Sequence, residues 1–412
     1  MKLAVLISFL LLGCASYQSK VAPTKNYLKS KDCLKAIESI SKLSQPTGVD
    51  QLALLMEHGT TLQICEQYSL STQVFSQAED LAETKDYLSV SEVAAATLTS
   101  EGMMTYKGDT FEKLFLNASK ALNYLEEKNT DSALVEVRKM NQKFSKFKNE
   151  ERKNYELNSF SKYLSGIIWE STGQFDDACI DYKDAYFTAT QFRDVGIQML
   201  ATCWNAQRVD EFNTLVKKIN ATNEEIQQAK SSKSKSEIVI VYLQGWGPQK
   251  LENPGSPTFP YLANVFNLTQ KLKIDLHEQE KETANKSFSS ETIYSVADAS
   301  RASLAADQSS LIARRIGARV AKHVVAKQLG DKDPLLGLVA LVGMVASDRA
   351  DLRQWSFLPN SIQIIRIPVN PGRCKLQLNG VGYDNQTTET FNDVNFDVDK
   401  RQKIIHMVRS VL

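Results

Sequence analysis

The sequence predicts a multidomain protein in which an all-α solenoid of helical, tetratricopeptide-like repeats precedes an α+β domain with a mainly antiparallel sheet. Apolar residues recur at helical spacing from residue 27 to 220. Short β-branched runs separated by turn residues follow from 237 to 412. Between them, residues 221–236 are polar and end in a Ser/Lys run, and we expect them to form a linker.

The N-terminus has the layout of a lipoprotein signal peptide. Lys2 precedes an almost wholly apolar run from Leu3 to Leu12, which ends in the sequence LLGC. This run is shorter than the roughly 20 residues that span a bilayer as a helix, but it has the length of a signal-peptide core. We expect residues 1–13 to be removed and Cys14 to receive a diacylglycerol group and an N-acyl chain. The alternative is an ordinary secretory signal with an incidental cysteine.

The residues after Cys14 indicate the destination. Several acyl chains anchor a protein stably, whereas one chain binds only marginally. Ala15 and Ser16 stand where an aspartate would favour retention at the inner membrane, so we expect the periplasmic face of the outer membrane. Residues 14–26 are mostly polar and contain one proline, which predicts a flexible tether.

Composition excludes several classes of partner. The chain has 49 Lys and Arg against 48 Asp and Glu, a net charge of +1, and this balance gives no reason to expect nucleic acid. A later apolar stretch, residues 334–347, is too short to span a membrane and is interpreted as a buried core element. The four histidines are scattered and no CxxC occurs, so no metal site is predicted.

Five cysteines remain once Cys14 is modified, namely Cys33, Cys65, Cys179, Cys203 and Cys374. An exported chain reaches a compartment that permits disulfides. The first two and the next two could each bridge neighbouring helices and leave Cys374 over. The alternative is that all five are small buried thiols.

The clearest repeat covers residues 163–186. Small residues, Gly166 and Ala178, stand where two antiparallel helices must approach closely, and Trp169 and Tyr182 fill the gaps beside them. Gly173 is expected to form the turn between the helices. These spacings are those of a tetratricopeptide repeat.

Weaker helix pairs are predicted at 59–81, 105–152 and 198–219. One such pair cannot bury its apolar face alone, so the pairs are expected to stack into a solenoid whose concave side binds a partner.

The second half mixes strands with one long helix. Residues 238–243, IVIVYL, are typical of a buried strand. Residues 293–327 predict a helix with a basic face, for which a solvated surface is favoured over contact with anionic lipid or glycan. Further strands are predicted at 265–276, 362–367, 375–378, 390–398 and 403–411.

Two turn-like segments of this half combine charge with an aromatic ring. They carry the candidate pocket residues Gly245, Gly247, Pro248 and Lys250 in the first, and Asp351, Arg353 and Trp355 in the second. If the segments meet across the sheet, they could form a ligand pocket. A buried ion pair beside a tryptophan has the same pattern, and this structural interpretation is favoured.

Four segments, 111–125, 163–186, 238–250 and 350–372, resemble a functionally uncharacterised family of bacterial tetratricopeptide-repeat-containing periplasmic and outer-membrane lipoproteins. Trp246 stands where members usually carry an aliphatic residue. The resemblance implies an outer-membrane lipoprotein, often encoded near a lipoprotein activator of penicillin-binding proteins. It supplies no catalytic residues.

No nucleophile elbow, phosphate-binding loop or metal motif occurs, so the sequence predicts no enzyme and no catalytic residues. The favoured function is an envelope-anchored scaffold or adapter that binds a periplasmic or envelope protein through its repeats, in cell-wall or envelope assembly. Its other partner is membrane lipid, through Cys14. No cofactor is expected beyond the covalent acyl groups. The alternatives are a glycan- or small-ligand-binding lipoprotein that acts through the C-terminal domain, and a secretion or pilus assembly lipoprotein.

Overall fold

The computed structural model describes residues 16–45, 47–87, 105–149, 158–188, 192–278, 286–306 and 350–412, together with positions 324, 327, 328 and 331. The predicted signal peptide, Cys14, the stretch 334–347 and most of the predicted basic helix lie outside these residues. Within them, helices precede strands, and the multidomain α-then-α+β class is the one observed.

Helices account for almost all of the described chain up to residue 231. They are α1 Tyr17–Lys29, α2 Cys33–Ser44, α3 Gln51–Ile64, α4 Tyr68–Tyr87, α5 Thr110–Glu126, α6 Thr130–Asn149, α7 Ser159–Ser171, α8 Phe175–Thr188, α9 Arg193–Asn205, α10 Val209–Lys218 and α11 Asn223–Ser231. Each odd-numbered helix up to α9 packs against the next helix to form a pair, each pair packs against the following one, and α11 packs on α9. The predicted stack of helix pairs is therefore present.

Glycine permits the close crossing within two of these pairs. A Cβ atom on Gly166 would lie 2.9 Å from the ring of Tyr182, and one on Gly59 would lie 2.5 Å from the ring of Phe75. Both rings are fully buried. Gly173 has a φ of +76°, so it makes the predicted turn between α7 and α8 in a conformation that favours glycine.

The tether prediction is wrong from Tyr17 onward, because these residues form α1. Tyr17, Val21 and Leu28 lie on one helical face and are buried, and the Ser16 hydroxyl accepts the backbone N–H of Ser19 at the helix start. The proline that suggested a tether, Pro23, lies inside the helix. Burial of the apolar face offsets the cost of a proline at that place, which is about 3 kcal/mol.

The linker prediction is also wrong. Most of residues 221–236 form α11 and a short 3-10 turn, Ser232–Ser234. Thr222 and Glu225 cap the helix reciprocally, since the Glu225 carboxylate accepts the Thr222 N–H at 2.7 Å and the Thr222 hydroxyl accepts the Glu225 N–H at 3.3 Å. Ala229 is fully buried, so this helix closes the end of the stack.

Strands make up most of the remainder. They are β1 Ser236–Gln244, β2 Gln249–Asn253, β3 Ser256–Ala263, β4 Lys271–Glu278, β5 Lys286–Ser289, β6 Glu291–Ser295, β7 Ser361–Val369, β8 Gly372–Val381, β9 Thr387–Thr390, β10 Val394–Val398 and β11 Lys403–Arg409. One sheet has the order β11-β1-β7-β6, a second has β10-β8-β4-β5 with β9 paired to β8, and β2-β3 is a separate hairpin. All of these pairs are antiparallel except β1 with β11, which are parallel.

Three predictions in this half are wrong in their bounds. The strand expected at 265–276 begins only at Lys271, and residues 293–295, expected to be helical, belong to β6. The single strand expected at 390–398 is divided, because β9 ends at Thr390 and β10 begins at Val394. A helix follows at 296–306.

Strand β1 lies in the middle of three layers. Ile238, Ile240 and Tyr242 face the second sheet, whereas the alternating Val239, Val241 and Leu243 face the helices. Because both faces of the strand are covered, its sequence is a continuous apolar run and does not alternate between apolar and polar residues. The helices and the first sheet thus share one hydrophobic core.

Candidate functional site

The two segments that carry the candidate pocket residues do meet. The backbone N–H of Gly247 donates to the carbonyl of Leu358 at 2.9 Å, and that of Lys250 donates to the side-chain oxygen of Gln354 at 2.8 Å. The Gln354 amide in turn donates to the carbonyl of Pro248 at 2.6 Å. The sequence therefore identified a real contact across the domain.

Protein atoms fill the space between these segments. The cavity that Gly247, Pro248, Lys250 and Trp355 help to line has a volume of about 10 Å³, the lower limit for a single water molecule. Gly245 has a φ of +58° and directs the chain so that the fully buried Trp246 donates its ring N–H to Val411 at 2.8 Å. The two segments therefore form a packed junction.

The charged residues of the second segment form a structural ion pair. The Arg353 guanidinium donates to both carboxylate oxygens of Asp351, at 2.8 and 2.7 Å, and to the carbonyl of Val49 at 3.0 Å. Its side chain is only 5% exposed. Arg353 therefore ties the C-terminal domain to the loop before α3.

Glu57 on α3 binds the backbone of the segment that follows Arg353. Its fully buried carboxylate accepts the backbone N–H of Ser356 at 2.7 Å, the Ser356 hydroxyl at 2.6 Å and the N–H of Phe357 at 2.9 Å. Burial raises the pKa of Glu57 to about 7, although these hydrogen bonds and the charge of Lys25 oppose the rise.

Glu112 at the start of α5 binds the same segment one residue earlier. Its carboxylate accepts the N–H of Trp355 at 2.9 Å, the Tyr106 hydroxyl at 2.6 Å and the N–H of Asp109 at 2.9 Å. Burial raises its pKa to about 7 as well, and the charge of Asp109 acts in the same direction. The Trp355 ring N–H donates to Thr60 on α3 at 2.7 Å.

Two further carboxylates hold strands of the first sheet. Glu126 at the end of α5 accepts the N–H of Met407 at 2.5 Å. Glu170 on α7 lies 3.1 Å from the Arg366 guanidinium and 2.9 Å from the Lys403 ammonium. Each of these contacts joins a helix of the stack to a strand of the C-terminal domain.

We call the surface formed by α1, α3, α5, α7 and α9, the first helix of each pair, the first-helix face. All four carboxylates lie on it, and strands β6 and β11 pack against α5 and α7. The C-terminal domain of the chain itself therefore covers the first-helix face. The sequence analysis did not identify these four carboxylates. The feature that could have indicated Glu57 is a glutamate within an otherwise apolar helix, LALLMEHG, residues 52–59.

We call the opposite surface, formed by α2, α4, α6, α8 and α10, the second-helix face. Each of these helices presents an exposed aliphatic side chain in its first half: Leu34 (84% exposed), Leu70 (49%), Val135 (48%), Ile180 (37%) and Val209 (47%). No described residue of the first helices is among the exposed large hydrophobic side chains. Among the described helices of the pairs, only the second ones thus expose large apolar side chains. The second-helix face therefore offers apolar contact area to a partner.

A charged network between α4, α5 and α6 is structural. The ammonium of the buried Lys120 lies 2.5 Å from Glu79 and 3.1 Å from Glu136, and that of Lys143 lies 2.5 Å from Glu79. Burial acts to raise the pKa of Glu79, but the charges of Lys143 and Lys120 outweigh it and the net pKa is lowered. Glu79 thus remains ionised and paired.

The structure joins Cys33 to Cys65 and Cys179 to Cys203 by disulfides, with Cα–Cα distances of 5.7 and 4.8 Å. The first links α2 to Cys65, the residue that follows α3, and the second links α8 to α9. Cys374 is a free, buried thiol.

No group of His, Cys, Asp and Glu within the described ranges is arranged to hold a metal ion. Among the same residues, no helix has both the length and the apolar character required to cross a membrane.

No family model and no curated protein matches the chain. Among solved structures, nearly identical TPR-like repeats from Podosopora anserina are 12% identical, with a TM-score of 0.33, over 52% of this chain and 96% of that one. A tetratricopeptide repeat protein from Parabacteroides merdae is 13% identical, with a TM-score of 0.32, over 52% and 70%. MamA of AMB-1 is 13% identical, with a TM-score of 0.31, over 49% and 95%. Likeness at this level carries no information on function.

Proposed function

We propose that this protein is an envelope lipoprotein that is held at the periplasmic face of the outer membrane by acyl chains on Cys14 and acts there as a protein-binding scaffold in cell-wall or envelope assembly. The LLGC sequence at the end of the signal peptide supports the acylation of Cys14. The family resemblance supports a role in cell-wall or envelope assembly. The observation that carries the binding role is the exposed aliphatic side chain on every helix of the second-helix face.

The first-helix face is unsuited to a partner. Its carboxylates Glu57 and Glu112 already bind the backbone of residues 355–357, and the helices share a core with the sheet. A partner would have to displace the whole C-terminal domain. The partner therefore binds the second-helix face.

The second-helix face has the dimensions of a protein-binding surface. Helices pack 8–10 Å apart, so five stacked pairs extend over roughly 40–50 Å. Exposed aliphatic residues spaced along such a surface suit an elongated partner, because each contributes about 25 cal/mol per Å² of apolar area buried. Single exposed apolar residues are common on any protein, but one on every second helix forms a repeated pattern.

In-cell photo-crosslinking tests this assignment. A photoreactive amino acid is placed at Leu70 or Val135 on the second-helix face, and at Phe266, which is 78% exposed in the C-terminal domain, as a control. We expect one discrete crosslinked envelope protein from positions 70 and 135 and none from 266. Crosslinks from 266 alone would contradict the proposal and would favour binding through the C-terminal domain.

A polar variant gives a second test. Leu70→Ser and Val135→Ser together should abolish the crosslink from a probe at Ile180. Stability should change little, since surface substitutions stay within about 0.5 kcal/mol each. Deleting residues 27–220 would be a poor test, because it exposes the sheet face that carries Val239 and Val241. Persistence of the crosslink in the polar variant would contradict the role of this face.

A further inference from the structure

The distance between the lipidated cysteine and the folded body is very short. Helix α1 begins at Tyr17, Ser16 caps it, and Tyr17 is buried in the core of the protein. In the proposed mature chain, only Cys14 and Ala15 precede Ser16. Two residues span at most about 7 Å, even when fully extended. The polar headgroup layer of a bilayer is itself about 5–7 Å thick on each side. An acylated Cys14 thus leaves no spacer between lipid and protein.

We infer that the start of α1 and the loop before α3 form a surface that rests directly on the phospholipid headgroups. This inference rests on the proposed acylation of Cys14. We call it the membrane-apposed face and define it by Ser16, Ser19, Lys20 and Val49. Its occupant is a lipid surface, since the anchor leaves no room for another protein layer at this point.

Contacts within the protein keep this face together. The Lys20 ammonium lies 2.9 Å from Asp50, and the carbonyl of Val49 accepts the Arg353 guanidinium at 3.0 Å. The Gln18 amide donates to the carbonyl of Leu352 at 3.4 Å. Loop, helix and C-terminal domain therefore meet around the N-terminus of α1 as one rigid surface.

The chemistry of this face suits lipid headgroups. The described helix α1 contains no acidic residue, and its exposed positions are Ser19, Lys20, Ala22, Pro23, Asn26 and Lys29. The nearby Val49 is 38% exposed, and Tyr261, on the hairpin β2-β3 that packs against α1, is 40% exposed. Lysine and tyrosine are favoured where a protein meets a membrane interface.

Two valines provide a matched test. Val49 lies on the membrane-apposed face, whereas Val209, 47% exposed, starts α10, the second helix of the last pair. Three to four helix-pair spacings of 8–10 Å place them roughly 30 Å apart along the stack. Val49→Cys and Val209→Cys are each labelled with the same fluorophore. The lipidated full chain is then inserted into nanodiscs that contain phospholipid with a nitroxide headgroup.

We expect the label at position 49 to be quenched at least severalfold more than the label at 209. Inserting a 20-residue Gly/Ser segment between Ala15 and Ser16 should remove most of that difference, because such a segment has an end-to-end distance of roughly 25 Å.

Equal quenching at both positions in a chain that mass spectrometry shows to be acylated would overturn the inference while the anchor itself stands. A mature chain without acyl groups, which also fails to bind the nanodiscs, would overturn both the inference and the proposed anchor.

Discussion

The carboxylate of Glu57 accepts the backbone N–H of Ser356 at 2.7 Å, although the two residues are 299 positions apart in the chain. This hydrogen bond joins the second helix pair to the C-terminal domain within the shared core. A side chain that binds backbone N–H groups is how a repeat protein could hold an extended peptide, and here the peptide belongs to the same chain. The helical stack and the sheet therefore behave as one folding unit.

Glu57→Gln should destabilise the whole protein. The glutamine amide would direct N–H groups toward donors at Ser356 or Phe357, leaving buried donors without acceptors. Such losses cost about 2–4 kcal/mol. Denaturant unfolding followed by circular dichroism would measure the change, and we expect helices and strands to unfold in one transition.

The matched control is Glu38→Gln. Glu38 lies on α2, is 65% exposed and pairs with Lys42 one helical turn away. We expect no measurable change in stability from it. If Glu57→Gln also left the free energy of unfolding unchanged, the shared core would not depend on this carboxylate. Two separate unfolding transitions in the variant would contradict the single transition expected.

Stability should rise as the pH falls from 7 to 5. Burial raises the pKa of both Glu57 and Glu112 to about 7, so between pH 4.5 and 7 the folded protein binds protons that the unfolded chain releases. Each carboxyl then adds about 2 kcal/mol at pH 5 relative to pH 7. Lys25, whose pKa burial lowers to about 7, acts mainly above pH 7, and burial lowers the pKa of His58, which opposes part of the gain.

Unfolding midpoints at pH 5, 6 and 7 measure this effect, and Glu112→Gln should flatten the slope. If the stability of the wild-type protein instead decreased as the pH fell from 7 to 5, the hydrogen-bonded carboxylates would have remained ionised. That result would contradict the prediction.

Gly59→Ala should cost about 1–3 kcal/mol. The added Cβ would lie 2.5 Å from the ring of Phe75, which is fully buried, so the ring or the helix has to shift. Gly48→Ala is the control, because nothing lies within 4 Å of its Cβ position. Thermal unfolding of both variants checks the prediction; equal midpoints would mean that the crossing of α3 and α4 tolerates a methyl group.

Loss of the disulfide between Cys33 and Cys65 should cost about 3–4 kcal/mol. It closes a loop of 32 residues, and the entropy lost by the unfolded chain grows with loop length. The double variant Cys33→Ser/Cys65→Ser, compared with the parent in the absence of reductant, measures the difference. An unchanged Tm would indicate that this bond is not formed in the mature protein.

The sequence predicted features that depend on local spacing. Gly166 and Tyr182 lie within one helix pair, so their contact follows from a repeat pattern of some twenty residues. The run from Ile238 to Leu243 predicted a buried strand because both of its faces are apolar. These signals reach no further than neighbouring elements, and the structure agrees with them.

Two errors came from local signals that were present but overlooked. Thr222 and Glu225 form a capping box, which marks a helix start within the segment interpreted as a linker. Tyr17, Val21 and Leu28 form an apolar stripe that continues past Pro23. In both places polar composition was given more weight than spacing.

The first-helix carboxylates could not be assigned from sequence. Glu57 and Glu112 meet Trp355, Ser356 and Phe357 only because the chain folds back over some 240 to 300 residues. No spacing rule relates positions so far apart. That the chain's own C-terminal domain packs on the first-helix face was therefore not predictable from the sequence.

Strand β11 is the last of the described strands. It pairs in parallel with β1, which lies in the middle layer of the fold. Trp246 and Leu243 both bond to the final residues, through Val411 and Ser410. A variant that lacks residues 403–412 would leave one edge of β1 unpaired, and an unpaired apolar edge promotes association with other chains. Strand β1 therefore has both of its neighbours only after a segment some 160 residues later in the chain has folded back beside it.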